Sequence, residues 1–246
     1  MSTPKEYLPK RVMSIHAHPD DQEFTVAGTL AKWANDGAEI VSVVITSGEA
    51  GSNNPKHNED YKRKLAQIRE REQRAANKTL GVQITIFLGY PDGELEPTLA
   101  LRKELTRHIR QYKPDTVVIG DPQGVFYGNG YINHPDHRAA AQAALYAVFP
   151  SAETRLIFTD LLQAGYAPHK VKRVYIHGSE KPDTWVDISS TMNVKLRALR
   201  KHKSQLGDWD PEKMLREWAA EDGKEKGLKY AEAFKVMVNE DEAPEN

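Results

Sequence analysis

Arg11-Val12-Met13-Ser14-Ile15-His16-Ala17-His18-Pro19-Asp20-Asp21 runs from a mainly apolar stretch into three side chains suited to chemistry, His18, Asp20 and Asp21. The first eight residues, Arg11–His18, read as a strand. Glu23–Asn35 follows, with Val26, Leu30 and Trp33 near helical spacing and Gly37 at its close. Between strand and helix stands HPDD, where a dinucleotide-binding turn would carry G-x-G-x-x-G. Strand, short polar turn and helix form the first unit of an α/β protein built around something other than a phosphate cradle.

The same alternation continues outward. Glu39–Thr46 is a second strand, Lys62–Leu80 a helix closed by Gly81, Gln83–Leu88 a third strand and Thr98–Tyr112 a third helix. Asp115–Gly120 is a fourth strand, and the Ala-rich Asp136–Val148 is helical. Lys172–His177 supplies a fifth strand and Val186–Ile188 a short one, with helices over Thr191–His202 and Pro211–Glu221. The series predicts a Rossmann-like, doubly wound, mainly parallel sheet with helices on both faces. An order of 3-2-1-4-5 would make strands 1 and 4 neighbours at the topological switch point, with the site at their C-terminal ends. No linker interrupts the pattern, so residues 1–246 read as one domain with a polar, charged C-terminal extension from about 206 and a frayed end at Glu240–Asn246. Residues 47–61, SGEAGSNNPKHNEDY, form a long loop after the second strand, in the place for a substrate-covering element.

Composition limits the chemistry. The 246 residues include 34 Lys+Arg, 35 Asp+Glu, nine His and no Cys. A disulfide scaffold, a thiol nucleophile and Cys-ligated zinc are excluded. The net charge of −1 gives no reason to propose nucleic acid as a partner. The N-terminus has no apolar stretch like a signal peptide, and no run approaches the roughly 18 apolar residues of a membrane helix. The expectation is a soluble, cytoplasmic protein with no membrane partner. Homo-oligomers are common among such enzymes.

Two segments carry the chemistry: His18-Pro19-Asp20-Asp21 after strand 1, and His134-Pro135-Asp136-His137 after strand 4. Pro at a helix start and Asp near it are ordinary capping, but two such segments facing one crevice suggest more. A hydrolytic zinc site needs three protein ligands and an open position. His18 with Asp20 or Asp21 from one segment, and His134 or His137 from the other, meet that need. A spare carboxylate and a spare imidazole remain for proton transfer and oxyanion stabilisation. His16, inside the first strand, reads as a core histidine.

VMSIHAHPDDQEF and YINHPDH resemble the paired signatures of the LmbE/PIG-L family of metal-dependent de-N-acetylases. ITSGEAG, Arg69-x-x-Glu72 with Leu80-Gly81, LGYPDGEL around Asp92 and HKSQ at 202–205 extend the resemblance over about Arg11 to Gln205. The resemblance implies His18, Asp21 and His137 as metal ligands, for zinc or another divalent ion such as Fe2+. It implies Asp20 as general base and His134 as oxyanion stabiliser and acid, with Asp136 orienting His134. Arg69 and Asp92 match positions of substrate contact and site organisation. The implied reaction is hydrolysis of an N-acetylated amino sugar or conjugate to acetate and a free amine. Two departures stand out. Gln22 occupies the place of an acid that Glu23 could supply, and Ile132, beside Tyr131, occupies the place of a Tyr found in some members. The alternatives are an amidase acting on a thiol-sugar conjugate, a non-haem iron oxygenase, or a non-catalytic sugar- or nucleotide-binding module. Trp185, Trp209, Trp218 and Tyr127 are candidates for stacking on sugar rings.

Overall fold

In the computed structural model, which describes residues 7–239, the alternating segments assemble into a seven-stranded sheet. The elements run in chain order β1 (Arg11–His16), α1 (Asp21–Thr25), α2 (Ala27–Asn35), β2 (Glu39–Thr46), α3 (Glu59–Leu80), β3 (Ile84–Tyr90), α4 (Leu99–Tyr112) and β4 (Thr116–Gly120). A two-stranded hairpin, β5 (Phe126–Tyr127) and β6 (Tyr131–Ile132), then precedes α5 (Pro135–Tyr146). A π-helical turn over Ala147–Ala152 leads to α6 (Thr159–Gln163), β7 (Arg173–His177), β8 (Thr184–Asp187), α7 (Met192–Leu199), α8 (Lys203–Leu206), α9 (Glu212–Lys224) and β9 (Ala231–Val238).

The sheet order is β3-β2-β1-β4-β7-β9-β8. β1 pairs parallel with β2 and β4, β2 with β3, and β4 with β7. β9 runs antiparallel to both β7 and β8. The α/β, mainly parallel fold expected from the sequence is therefore present, with β7 as the fifth strand of the 3-2-1-4-5 core. Val12 and Ile40 pack on one face, while Met13, Ile15, Val41, Val43 and Ile45 pack on the other. This period-2 alternation lets α2, α7 and α9 cover one side and α4 and α5 the other. Each fully buried Leu, Ile or Val contributes roughly 1.5–3 kcal/mol.

Three differences from the sequence reading have physical causes. The helix expected over Glu23–Asn35 is two helices broken at Val26, whose φ of −117° and ψ of 6° leave the helical range. α3 begins at Glu59, three residues before its expected start, because the Asn58 side chain accepts the Tyr61 N–H at 3.1 Å and caps it. The stretch read as a polar extension carries α9, close to the helix expected over Pro211–Glu221, but also β9, which lies inside the sheet between β7 and β8. Its Phe234 is fully buried. The frayed end expected at Glu240–Asn246 lies outside the described residues. No helix among the described residues is long and apolar enough to cross a membrane.

Candidate active site

The loops that leave β1, β2, β3 and β4 interlock. His18 comes two residues after β1, and Asp20 begins α1 with a left-handed backbone at φ 93°. Such a conformation costs of order 1–3 kcal/mol for a residue other than glycine, so the neighbours must hold it. Gln73 Oε1 accepts the Asp20 N–H at 2.9 Å. The Arg69 guanidinium donates to Asp20 Oδ2 at 3.2 Å, to the Pro19 carbonyl at 2.6 Å and to the Gly48 carbonyl at 2.7 Å. Gly48 has φ 65°, and a Cβ there would lie 2.2 Å from Arg69. The glycine lets the loop after β2 close over the guanidinium. Glu49 Oε1 accepts the Asp92 N–H at 3.0 Å, and Asp92 Oδ2 accepts the Ala50 N–H at 2.8 Å. The same Asp92 presents Oδ1 to His18 Nε2 at 3.0 Å.

The second motif opens α5. Pro135 is its first helical residue, and His134 caps it by accepting the Asp136 N–H on Nδ1 at 3.2 Å. That bond leaves Nε2 of neutral His134 as the protonated nitrogen. The Asp136 carboxylate is directed elsewhere. Oδ2 lies 3.2 Å from His18 Nε2 and accepts the Gly93 N–H at 2.7 Å, and Oδ1 accepts the Leu95 N–H at 3.3 Å. Asp136 thus holds His134 through its backbone and His18 through its side chain. His137, one turn along α5, places Nε2 3.1 Å from Asp21 Oδ1. Asp21 Oδ2 accepts the His18 N–H at 2.8 Å and lies 3.5 Å from His18 Nδ1.

The charges follow from this packing. Burial opposes an imidazolium at His18, but Asp21, Asp136 and Asp92 together outweigh it and push the group up to about 12. Burial likewise opposes charge at His137, and Asp21 overcomes it and holds the ring above its ordinary value. Burial also works against the Asp21 carboxylate, yet His137 and His18 keep it well below the carboxylate range. Asp20 goes the other way: burial lifts it to about 6 against the pull of Arg69, with Asp21 adding repulsion. Burial and the charge on His18 hold His134 below its usual value, so that it is neutral at pH 7.

Donor atoms of His18, Asp21 and His137 lie within 4.8 Å of one another, as do those of His18, His134 and Asp136. The first set fits a divalent cation better. His18 Nε2 is committed to two carboxylates, which turns Nδ1 toward Asp21, and carboxylate-backed histidines are the usual metal-ligand arrangement. In the second set, Asp136 is already satisfied by backbone N–H groups. A concentration of carboxylates around one imidazole is also a place where a cation lowers the electrostatic cost.

The family described as PIG-L, GlcNAc-PI de-N-acetylase, matches residues 13–148. The chain belongs to the PIG-L family. A relative of this PIG-L chain, the diacetylchitobiose deacetylase of Thermococcus kodakarensis, is 35% identical over 93% of this chain and 83% of its own. The mycothiol S-conjugate amidase of Streptomyces coelicolor is 32% identical over 71% of this chain and 63% of its own. The structure of the N,N'-diacetylchitobiose deacetylase of Pyrococcus horikoshii superposes with a TM-score of 0.84 at 32% identity, covering 94% of this chain and 84% of that one. Membership bears out the expected family and the expected class of enzyme, an amide hydrolase.

Several residues around the PIG-L site acquire their partners only in the fold. Gln22 is buried: Oε1 accepts from Ser42 at 3.0 Å and from Ser14 at 3.4 Å, and Nε2 donates to Glu23 at 2.7 Å and to Asn77. An amide, unlike an acid, satisfies donors and acceptors on both sides. Glu23 is fully buried and pairs with His202 of the HKSQ motif at 3.2 Å. Ser204 of the same motif donates to Glu72 through N at 2.9 Å and Oγ at 2.6 Å. Gln73 is a residue type common on any surface, and only the fold brings it to the site; Glu49 and Asn133 lie within quoted motifs, but residue type alone did not show what they would contact. Tyr131 and Ile132 stand exposed on β6. Burial and the charge on Asp21 push the Tyr131 phenol upward against His18. Trp209 stacks on Phe24 of α1 at 6.2 Å, whereas Lys226 lies over Trp185 on the edge strand at 3.8 Å.

Proposed function

We propose that this chain is a metal-dependent hydrolase that removes an N-acetyl group from an amino sugar or amino-sugar conjugate, releasing acetate and a free amine. The observation that carries the reading is the meeting of the two motifs, with His137 Nε2 3.1 Å from Asp21 and His18 Nε2 3.2 Å from Asp136. His18, Asp21 and His137 would hold the ion. A donor set of two His and one Asp suits zinc, with Fe2+ as the alternative. A divalent ion held there supplies Lewis acidity, polarising a carbonyl and bringing water's pKa toward about 7.

The chain's own groups do the rest. Asp20 takes a proton from water as the oxygen attacks the acetyl carbon, while Arg69 and Gln73 keep the carboxylate and its strained backbone in place. His134 donates Nε2–H to the oxyanion that forms; as a neutral imidazole it adds no positive charge beside His18. Protonated Asp20 then passes its proton to the departing nitrogen as the C–N bond breaks, which returns the carboxylate. Arg69 and Asp92, both buried and bonded to site loops, organise the site from behind. The relatives from Thermococcus and Pyrococcus support an N-acetylated sugar as substrate. The Streptomyces relative supports a second reading, cleavage of a thiol-sugar conjugate at the same groups.

The test is product release from metal-reconstituted protein offered N-acetylglucosamine, its β-linked dimer and a thiol-sugar conjugate, with and without a chelator. Acetate from an acetylated sugar, lost on chelation and restored by zinc, is the expected result. Cleavage of the conjugate alone favours the second reading. Failure to cut any of these amides with zinc or Fe2+ loaded overturns the proposed substrate class.

A further inference from the structure

Asn133 lies between the hairpin strand β6 and the second motif, and it is almost fully buried at 4% exposure. Three bonds define it. Its backbone N–H donates to the Val125 carbonyl at 2.8 Å, and its Nδ2 donates to the Gly124 carbonyl at 2.7 Å. Its Oδ1 faces His137 Nδ1 at 3.0 Å. The Gly124 carbonyl can only accept, so the amide nitrogen must point there and the amide oxygen toward His137. An amide oxygen can only accept in turn, so Nδ1 of His137 must carry a proton. The lone pair of the neutral ring is then on Nε2, the atom that faces Asp21.

We propose that Asn133 is a positioning residue for the metal ligand His137, selecting the tautomer with Nε2 free and fixing the ring's direction. The inference rests on the metal reading above and gives a role to a residue of YINHPDH to which the sequence reading assigned none. Ligating histidines commonly give their second N–H to a carboxylate, a backbone carbonyl or water, and losing that acceptor typically costs 10–100-fold in metal affinity. Here the acceptor is a side-chain amide. Asp20, Asp21, Asp92 and Asp136 already crowd the site, and an amide supplies the acceptor without a fifth negative charge. Its other bonds tie the segment between β4 and α5 to the ligand.

The experiment is zinc affinity by competition with a chromophoric chelator, on full-length protein whose folding is checked by its thermal melt. Asn133→Ala should raise the zinc Kd by about 10–100-fold. Asn133→Asp, which keeps an acceptor toward His137 but loses the donor to Gly124, should bind more tightly than Asn133→Ala. Ile132→Ser, which alters the hairpin but leaves the amide in place, should bind as the parent does. Parent-like affinity in Asn133→Ala overturns the inference, as does an equal loss in all three variants, which would trace the effect to the hairpin. A parent that binds no zinc removes the metal reading itself, and this inference with it.

Discussion

Asp20 and Asp21 are adjacent and chemically identical, yet the structure gives them opposite environments. Asp21 lies between two imidazoles at 3.1 and 3.5 Å, whereas Asp20 faces a guanidinium and is lifted toward neutrality by burial. The left-handed backbone of Asp20 turns its side chain away from its neighbour's partners. This difference separates the two roles by experiment. Asp20→Asn keeps a side chain that tolerates positive φ but cannot take a proton. It should retain stoichiometric zinc and lose about 10²–10⁴-fold in kcat. His137→Ala should instead lose zinc, measured by metal analysis after dialysis. A metal-replete Asp20→Asn with parental kcat would remove Asp20 as the base, and full zinc in His137→Ala would remove that ligand. The paired HPDD and HPDH segments made the site's main residues legible in the sequence. The allocation between Asp20 and Asp21 was not, because residue type cannot report a φ angle or the reach of Arg69 from α3.

At the scale of the elements, legibility followed apolar pattern. β1, β2 and β4 are near-continuous apolar or β-branched runs, as parallel strands buried on both faces require, α4 carries Leu101, Leu105 and Ile109 at helical spacing, and each lies close to its expected bounds. The β5–β6 hairpin, with two residues per strand, is too short for any period to show. α4 also contains a group that periodicity treats as ordinary. His108 is buried on the helix, with Arg107 Nη2 donating to its Nε2 at 2.8 Å and no partner on Nδ1. Burial, reinforced by the Arg107 charge, pushes it down to about 4 from an ordinary value of 6.5. The folded state therefore binds fewer protons here than the unfolded state between those values. The stability that depends on neutral His108 is complete above pH 6.5 and is lost as pH falls toward 4, at no more than about 1.4 kcal/mol per pH unit. Urea unfolding at pH 7.5 and pH 5 should show the parent losing more stability on acidification than His108→Leu. Equal losses would mean that His108 titrates normally.

Across the whole molecule, the end of the chain is what the sequence concealed. AEAFKVMV, residues 231–238, would read as a strand but for Glu232, which turns inward. Its carboxylate accepts the N–H groups of Gly28 at 2.9 Å and Thr29 at 2.7 Å, and pairs with Lys195 Nζ at 2.6 Å. Lys195 also donates to the Thr25 carbonyl at 2.8 Å. A buried charge cannot be foreseen from local sequence when its partners lie 37 and about 200 residues away. Together these contacts join β9, α7 and the start of α2, and α1, immediately before α2, carries Asp21. The distal strand is thus fastened to the helix pair that presents the first motif. Removing one partner of a buried ion pair typically costs about 3–5 kcal/mol, because the other charge is left without compensation. Glu232→Ala should lose about that much, and at roughly 2–4 °C per kcal/mol its Tm should fall by about 6–20 °C. Glu232→Leu combined with Lys195→Met removes both charges. It should recover much of the loss, short of full recovery because Gly28 and Thr29 still lack their acceptor. A Glu232→Ala melt within about 2 °C of the parent, a shift worth no more than roughly 1 kcal/mol, would show that β9 is held by its strand pairing and Phe234 alone.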